Sequence, residues 1–350
     1  MATNKTVHIL VIRLSAMGDV AMTVPVLLGV LKKYPKVKIT VLTKEFTAPI
    51  FENIPNVSVF KADVKGRHKG FLGLWKLYKE LKTLQIDVVA DLHNVLRSTV
   101  LKQFFKLSTI PFIQVDKGRA AKKALVNPDR TSFSPLPTTF ERYAEVFGKL
   151  GYPIAISEME TLSKRLIPDS AKHLINFEGK MLIGIAPFAA FSGKMYPLPL
   201  MEEVIAMLNS TNNYQIVLFG GGKKEIEVLT TWETQFNNCF NAAGKLSFSD
   251  ELGLISNLQL MLAMDSGNAH LAAMFGVPTV TIWGVTHPYA GFSPFNQPRH
   301  YSLLSDRKKY PAIPTSIYGN KYPDGYDKVM ETILPETIIQ KISEILKTPD

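Results

Sequence analysis

The 350-residue sequence contains a single cysteine, Cys239. One thiol excludes an intramolecular disulfide framework and any metal site built from several cysteines. No run of ~18 apolar residues is present, so we expect no helix that spans a membrane. The first apolar stretch, Val7–Ile12, is too short for the core of a signal peptide, and Arg13 ends it. These absences predict a cytoplasmic protein, and the length predicts about two domains.

Two common nucleotide-binding motifs are missing as well. The sequence has no G-x-x-x-x-G-K-[ST] phosphate loop. In the loop after the first predicted strand only Gly18 is present, where the dinucleotide fingerprint G-x-G-x-x-G needs three glycines. The sequence therefore disfavours a P-loop enzyme and an NAD-dependent one.

Acidic residues are scarce in one part of the chain, which leaves a concentrated positive charge there. The whole chain has 40 Lys and Arg against 30 Asp and Glu, a net charge of +10. Residues 61–130 hold 15 of the basic residues and six of the acidic ones, whereas the other 280 residues carry 25 and 24. A segregated basic surface attracts nucleic acid, anionic lipid or a phosphorylated substrate. The simpler alternative is a solvated face of separate lysines.

Short apolar runs alternate with helical patterns along the chain. The predicted strands are Val7–Arg13, Lys38–Thr43, Val57–Phe60, Ile86–Leu92, Met181–Ala186, Gln215–Phe219, Leu258–Met264 and Thr279–Trp283. Helical patterns include Val20–Tyr34, Phe71–Leu84, Pro199–Asn209, Lys224–Phe236 and Ala269–Phe275. This alternation is typical of α/β proteins with parallel sheets, and the irregular stretch near Leu150–Gly179 predicts two doubly wound, Rossmann-like domains. Ligands of such sheets bind beyond the C-terminal ends of the strands.

The loop after the first predicted strand reads R-L-S-A-M-G-D-V, from Arg13 to Val20. Gly18 permits a tight turn, and Asp19 follows at or near the start of a helix. The Asp19 carboxylate could cap the backbone N–H groups of that helix or project from the loop as a general base.

The segment D-S-G-N-A-H, from Asp265 to His270, follows a predicted strand. Its small residues lead into a helix, whose free N–H groups form an anion site that a phosphate can approach closely. His270 could donate a hydrogen bond to that phosphate or could be a buried structural histidine.

The longer pattern D-S-G-x-A-H-L-A-A-x-x-G-x-P-T-V-x-x-x-G-x-T-x-P, which starts at Asp265, resembles the signature of the ADP-heptose:lipopolysaccharide heptosyltransferase family. R-L-S-A-M-G-D-V and D-L-H-N-V-L-R-S (Asp91–Ser98) are similar to segments of the same family, in the same order. The resemblance covers essentially the whole chain and implies a GT-B fold, in which two Rossmann-like domains face a central cleft. It assigns residues 1–165 to acceptor binding, residues 166–334 to nucleotide-sugar binding, and residues 335–350 to a helix that packs back on the N-terminal domain.

The resemblance also implies roles for individual residues. Asp19 corresponds to the acceptor-activating base, and Lys194 to a catalytic phosphate-binding lysine. The residues implied for nucleotide-sugar binding are Gly18, Ala189, Ala190, Ser192, Gly221, Glu225, Leu246, Asp265, Ser266, Gly267 and His270. Those implied for acceptor binding are Arg67, His93 and Arg97. Well-studied members carry hydroxyl residues where this chain has Ala189 and Ala190, so contacts there are limited to backbone, and Ser192 is a nearby hydroxyl that could compensate.

The implied reaction is an inverting transfer of a heptose or related sugar from an ADP-sugar to a phosphorylated lipid-oligosaccharide of the lipopolysaccharide core. No Asp-x-Asp element lies in the nucleotide region, so we expect no metal and no cofactor. We expect a monomer that is peripheral at the inner face of the cytoplasmic membrane and binds no nucleic acid. The basic residues expected at the lipid head groups are Lys65, Arg67, Lys69, Lys76 and Lys79.

Two alternatives stay open at this point. One is another GT-B nucleotide-sugar enzyme, either a different sugar transferase or an epimerase, which would need no acceptor site. The other is a non-catalytic protein that binds nucleic acid through its basic segment, although the basic residues lack regular interleaved aromatics. The segment Tyr301–Lys328 has many Tyr and Pro residues and no clear pattern.

Overall fold

The computed structural model describes residues 6–172, 175 and 179–347. The chain divides into two compact units. Of the described residues, unit 1 contains those up to Arg119 and Thr139–Thr161, and unit 2 contains Ala120–Thr138 and those from Leu162 onward. The predicted boundary at residue 165 thus differs from the observed one by four residues, and residues 120–138 belong to unit 2 rather than to unit 1.

Unit 1 is built on a five-stranded sheet. Its strands are β1 (Val7–Ile12), β2 (Val37–Thr43), β3 (Val57–Lys61), β4 (Val88–Asp91) and β5 (Phe112–Gln114). Its helices are α1 (Met17–Ala21), α2 (Thr23–Lys33), α3 (Gly70–Lys82), α4 (Leu96–Phe105) and α6 (Thr139–Lys149). The helix α5 (Arg119–Leu125) begins at the last residue of the first segment of unit 1 and continues into unit 2. All strand pairs are parallel, in the order β3-β2-β1-β4-β5. The apolar strands lie in the interior because helices cover a parallel sheet on its faces.

The predicted helix Val20–Tyr34 is two helices, α1 and α2, interrupted at Met22. Pro25 accounts for the break, because it has no N–H to donate to the carbonyl of Ala21. The short α1 therefore ends just after Asp19 and Val20 instead of continuing into α2.

Unit 2 is built on a six-stranded parallel sheet. Its strands are β6 (Met181–Ala186), β7 (Tyr214–Leu218), β8 (Cys239–Asn241), β9 (Leu260–Met264), β10 (Thr279–Trp283) and β11 (Ser302–Leu304). Its further helices are α7 (Asp169–Lys172), α8 (Leu198–Ser210), α9 (Lys223–Gln235), α10 (Phe248–Ile255), α11 (Gly267–Ala273) and α12 (Pro335–Lys347). The strand order is β11-β10-β9-β6-β7-β8, and each adjacent pair is parallel.

Residues 120–138 attach to unit 2 through polar and aromatic contacts. Arg130 donates hydrogen bonds to the backbone carbonyls of Pro311, at 3.1 Å, and of Ile313, at 2.7 Å. The ring of Phe133 packs against those of His287 and Tyr289, with centroids 4.9 and 4.8 Å apart. These contacts explain why the segment belongs to unit 2 although it follows the last strand of the first sheet.

The last helix, α12, also belongs to unit 2, and not to the N-terminal domain as the resemblance implied. Its residues Ile338, Ile342 and Ile345 lie on one face at spacings of four and three, and all three are buried in the core of unit 2. That face packs on α8. Burying an isoleucine contributes ~1.5–3 kcal/mol, so this apolar face is sufficient to hold the helix in place.

Across residues 6–172, 175 and 179–347, none of the helices has both the length and the apolar character needed to cross a membrane.

Candidate active site

Asp19 lies in the first turn of α1, beyond the C-terminal end of β1. One of its oxygens, Oδ2, accepts a hydrogen bond from the backbone N–H of Ala16 at 3.3 Å and lies 2.5 Å from Nη2 of Arg13. Arg13 is itself buried and donates from Nη1 to the carbonyl of Leu92 at 2.6 Å. Asp19 therefore caps the turn and is fixed by Arg13, yet 26% of its side chain stays exposed. Gly18, beside it in α1, is buried.

His93 follows β4 and lies next to the same loop. Its Nε2 is 3.4 Å from Oγ of Ser15, and its Nδ1 has no hydrogen-bond partner among the residues that the structure describes. Burial, with the charges of Arg13 and Lys117, lowers the pKa of His93 to about 3. The imidazole is therefore neutral at pH 7, and any contact with an acceptor is made by a neutral ring. The loop is anchored by the fully buried Asp91, which accepts the backbone N–H of His93 at 2.9 Å.

The two arginines predicted for acceptor binding occupy different settings. Arg97 is exposed in the first turn of α4. Arg67 lies in the loop before α3, where it donates to Oε2 of Glu80 at 3.0 Å. The same carboxylate oxygen is 3.2 Å from Nε2 of the buried His68. Arg67 is thus held by Glu80, and only about half of its side chain is exposed (52%).

In unit 2, Lys194 and Asp265 form an ion pair. Asp265 directly follows β9, and Lys194 ends a 3-10 turn, Ser192–Lys194, after β6. The Lys194 Nζ and the Asp265 Oδ2 are 2.7 Å apart, and the two side chains are 15% and 5% exposed. Nζ also donates to the Asp265 backbone carbonyl at 3.2 Å, and the hydroxyl of Thr286 donates to Oδ2 at 2.9 Å. Asp265 thus holds the ammonium group beside the start of α11.

Ser266, Gly267 and His270 surround the start of α11. Ser266 occupies the position before the helix but makes no side-chain cap. Its Oγ is buried and has no hydrogen-bond partner within the described part of the chain. A buried hydroxyl of this kind is costly unless a ligand or water satisfies it, so it is available to an anion at the helix start. His270 is buried in the same helix.

Ser192 connects the Lys194 turn to the segment near residue 320. Its Oγ is 3.0 Å from the hydroxyl of Tyr322, whose ring packs against the core of unit 2. Ala189 is half-buried and Ala190 is exposed in the preceding loop, so neither offers a side-chain hydrogen bond there. The pair Ser192–Tyr322 therefore places two hydroxyl groups at the turn that ends in Lys194.

The glycine-rich turn after β7 is closed by Glu225. The Glu225 Oε2 accepts the backbone N–H of Gly221 at 2.7 Å, and Gly222 adopts a φ of +86°, which favours glycine. After β8, Leu246 is half-buried just before α10. The predicted residues of unit 2 thus all lie in loops that follow strands or in the first four residues of the helices after those loops.

Three of the residues described above escaped the sequence-based assignment. Arg13 stood in a quoted motif, but nothing in the sequence indicated its ion pair with Asp19. Thr286 stood at the end of the long pattern without a role, and its hydroxyl reaches Asp265 from 21 positions away. Tyr322 lies 130 positions from Ser192, in a segment without a pattern, so no sequence signal pointed to it.

Among residues 6–172, 175 and 179–347, no group of three or more His, Cys, Asp or Glu side chains is arranged to hold a metal ion.

The chain resembles known proteins in sequence and in fold. Residues 74–317 match the family model of glycosyltransferase family 9 (heptosyltransferase). The lipopolysaccharide core heptosyltransferase OpsX of Haemophilus influenzae is 28% identical over 282 residues, which cover 79% of each chain. A glycosyl transferase family 9 structure from Veillonella parvula covers 98% of each chain at 20% identity, with a TM-score of 0.74. The E. coli heptosyltransferase WaaC with ADP-2-deoxy-2-fluoro heptose covers 96% of this chain and 99% of WaaC at 19% identity, with a TM-score of 0.67.

The structural matches confirm the predicted GT-B fold with two parallel sheets. The family match extends over most of the chain and takes in the loops that carry Lys194, Asp265 and Thr286. The chain belongs to glycosyltransferase family 9 (heptosyltransferase) and is a glycosyltransferase.

Proposed function

We propose that this enzyme transfers a heptose from ADP-heptose to a phosphorylated sugar of the lipopolysaccharide core, with inversion at the transferred carbon. The donor binds to unit 2, and the acceptor binds to unit 1. The relatives support the choice of substrates, since OpsX is a lipopolysaccharide core heptosyltransferase and WaaC was solved with an ADP-heptose analogue.

The observation that carries the proposal is the order of four loops along the sheet of unit 2. Adjacent strands β9, β6, β7 and β8 are followed by the loops of Asp265, Lys194, Glu225 and Leu246, in that order. Because neighbouring strands are ~4.8 Å apart, the four loops span ~14 Å. A nucleotide laid across them has its diphosphate at Lys194 and the start of α11, its ribose at Glu225 and its base at Leu246.

The diphosphate would replace the Asp265 carboxylate as the anionic partner of Lys194. In the structure the ammonium group is neutralised by a carboxylate, at a site that is largely closed to solvent. A diphosphate offers more negative charge, and the Ser266 hydroxyl adds an unused donor. Preorganised donors of this kind stabilise the charge that develops on the leaving diphosphate, at ~3 kcal/mol apiece.

The hydroxyl pair Ser192–Tyr322 would complete the phosphate contacts where Ala189 and Ala190 provide backbone only. Ser192 lies two residues before Lys194 in the same turn, so both side chains would contact the phosphates from one loop. Packing of the Tyr322 ring against the core fixes its hydroxyl without a further loss of side-chain freedom.

Asp19 would act as the general base. Arg13 binds Oδ2, which leaves Oδ1 to accept the proton of the acceptor hydroxyl. The acceptor oxygen then forms a bond to C1 of the heptose while the bond from C1 to the β-phosphate oxygen breaks, and ADP leaves with the electron pair. A single in-line displacement inverts C1. The neutral His93 and the exposed Arg97 would contact the acceptor, together with Arg67.

The acceptor determines where the enzyme works. We infer a monomer that acts at the inner face of the cytoplasmic membrane, needs no metal or other cofactor and binds no nucleic acid. A lipid-linked acceptor carries phosphate groups, which match the basic excess of residues 61–119 of unit 1, where 12 Lys and Arg stand against five Asp and Glu.

A panel of nucleotide sugars, assayed for nucleotide release with and without a lipopolysaccharide-core acceptor, tests the proposal. We expect ADP-heptose to be consumed fastest, with acceptor-dependent release of ADP and a product heavier by one heptose. Preference for a UDP- or GDP-sugar would contradict the donor assignment. An isomerised nucleotide sugar formed without acceptor would show an epimerase instead.

A further inference from the structure

Exposed apolar side chains cluster at one edge of unit 1. Among the described residues of this unit, six large apolar side chains are exposed, namely Phe46, Phe71, Leu72, Leu96, Leu107 and Ile156. The first four follow the C-terminal ends of strands: Phe46 comes after β2, Phe71 and Leu72 begin α3, and Leu96 begins α4. Leu72 and Leu96 are 80% and 81% exposed. Exposure of large apolar side chains to water is unfavourable, so a cluster of them at one edge indicates a binding surface.

The same edge carries the unbalanced charge. Its loops, together with the first residues of the helices that follow them (13–19, 44–46, 62–69, 92–97 and 115–119), hold eight Lys and Arg against four Asp and Glu. The loops at the opposite edge (34–36, 52–56, 83–87 and 106–111) hold two of each sign. The excess therefore lies beside the exposed leucines and not evenly around the unit.

The helix α3 extends this surface along its outer side. Leu72, Lys76 and Lys79 follow at spacings of four and three, which places them in one row on the helix, and all three are exposed. Strands β3 and β4, which lead to α3 and α4, are three strand spacings apart, ~14 Å. Leucines at the starts of both helices can thus meet one flat partner.

We propose that this edge of unit 1 docks on an anionic phospholipid bilayer, with Leu72 and Leu96 inserted between the head groups and the surrounding Lys and Arg on the lipid phosphates. The proposal rests on the proposed function, because Asp19 lies at the same edge and would meet an acceptor held in that bilayer. Apolar side chains ringed by basic ones are typical of interfacial membrane binding. Nucleic acid, by contrast, selects basic grooves with stacking aromatics. The two most exposed side chains of this cluster are leucines, which offer no stacking, and the ring of Phe71 already packs on that of Phe104, with centroids 5.2 Å apart.

The test is flotation of the full-length enzyme with vesicles of phosphatidylcholine, with and without phosphatidylglycerol. We expect binding to the anionic vesicles and weak binding to phosphatidylcholine alone. The double variant Leu72→Ser/Leu96→Ser should partition about tenfold more weakly, which corresponds to ~1.4 kcal/mol. The matched control is Leu107→Ser, whose leucine is 72% exposed and lies in a loop at the opposite edge of unit 1. Such exposed positions change folding stability little.

Three results would overturn the proposal: equal partitioning of the Leu72/Leu96 variant and the wild type, an equal loss in the control variant, or binding of the wild type to single-stranded RNA but not to anionic vesicles.

Transfer to a water-soluble core oligosaccharide separates this proposal from the proposed function. The Leu72/Leu96 variant should keep that activity at the wild-type rate. Loss of vesicle binding with intact transfer locates the docking surface, whereas a wild-type enzyme that binds vesicles but transfers no heptose contradicts the proposed function alone.

Discussion

The ion pair between Lys194 and Asp265 leads to predictions for both the free energy of unfolding and the affinity for ADP. The atoms are 2.7 Å apart, and the side chains are 15% and 5% exposed, so each charge depends on the other for compensation. Removing one partner of a buried pair costs ~3–5 kcal/mol, because the other charge is left without a partner. We therefore expect Lys194→Met to lower the free energy of unfolding by ~3 kcal/mol, near the low end because the hydroxyl of Thr286 still donates to Asp265. The double variant Lys194→Met/Asp265→Asn should recover most of that loss.

Nucleotide affinity separates the functional role of the pair from its structural one. Lys194→Met removes a charge-assisted hydrogen bond, worth ~1.5–3 kcal/mol, and should weaken ADP binding about 10- to 100-fold. Asp265→Asn frees the ammonium group for the diphosphate and should leave ADP affinity unchanged or tighter. Urea unfolding and calorimetric titration with ADP measure both quantities. Equal ADP affinity in Lys194→Met and wild type, or additive stability losses in the double variant, would refute the reasoning.

Three further predictions follow from single contacts. Tyr322→Phe removes the hydroxyl beside Ser192 and should weaken ADP binding several-fold. The control Tyr318→Phe, on an exposed ring, should leave ADP affinity unchanged. Equal ADP affinity of Tyr322→Phe and the wild type would contradict a role of Tyr322 in the phosphate site. His93 has its pKa lowered from 6.5 to about 3 by burial, so the unfolded chain binds its proton first, and stability falls as pH drops from about 6.5 towards 3. The loss should be smaller in His93→Asn, and identical pH profiles of urea midpoints would contradict the neutral assignment. Ile342→Ala, at a fully buried position of α12, should cost ~2–5 kcal/mol in urea unfolding, and a loss below 1 kcal/mol would show that α12 does not depend on this core.

Much of the fold was accessible from the sequence because parallel strands are buried on both faces and read as short apolar runs. Runs such as Val37–Thr43 and Thr279–Trp283 were found within one residue of their observed limits. The three-residue strands β5, β8 and β11 escaped because they are too short to show a period. The helix α6 escaped as well, although Phe140, Tyr143 and Phe147 form a buried face at helical spacing.

The candidate site divides in the same way. Residues contiguous in a motif, such as Asp265–His270, could be predicted to lie at a strand end and a helix start, and they lie between β9 and the first turn of α11. The roles that the resemblance implies for them stay predictions. Contacts between segments that are distant in sequence could not be predicted, because they leave no local sequence pattern. The hydroxyl of Tyr322 at Ser192 and the packing of α12 on unit 2 both depend on tertiary structure alone.

The central claim is that Asp19 takes the proton of the acceptor hydroxyl during transfer from ADP-heptose. Its most direct test is the turnover of Asp19→Asn, measured as heptose transferred to a lipopolysaccharide-core acceptor, together with calorimetric titration of ADP. Asparagine keeps the size of the side chain but cannot accept the proton as a carboxylate does, and general-base catalysis contributes roughly 10²–10⁴-fold. We predict a loss of turnover in that range with unchanged ADP affinity. Turnover near the wild-type rate would contradict the assignment of the base.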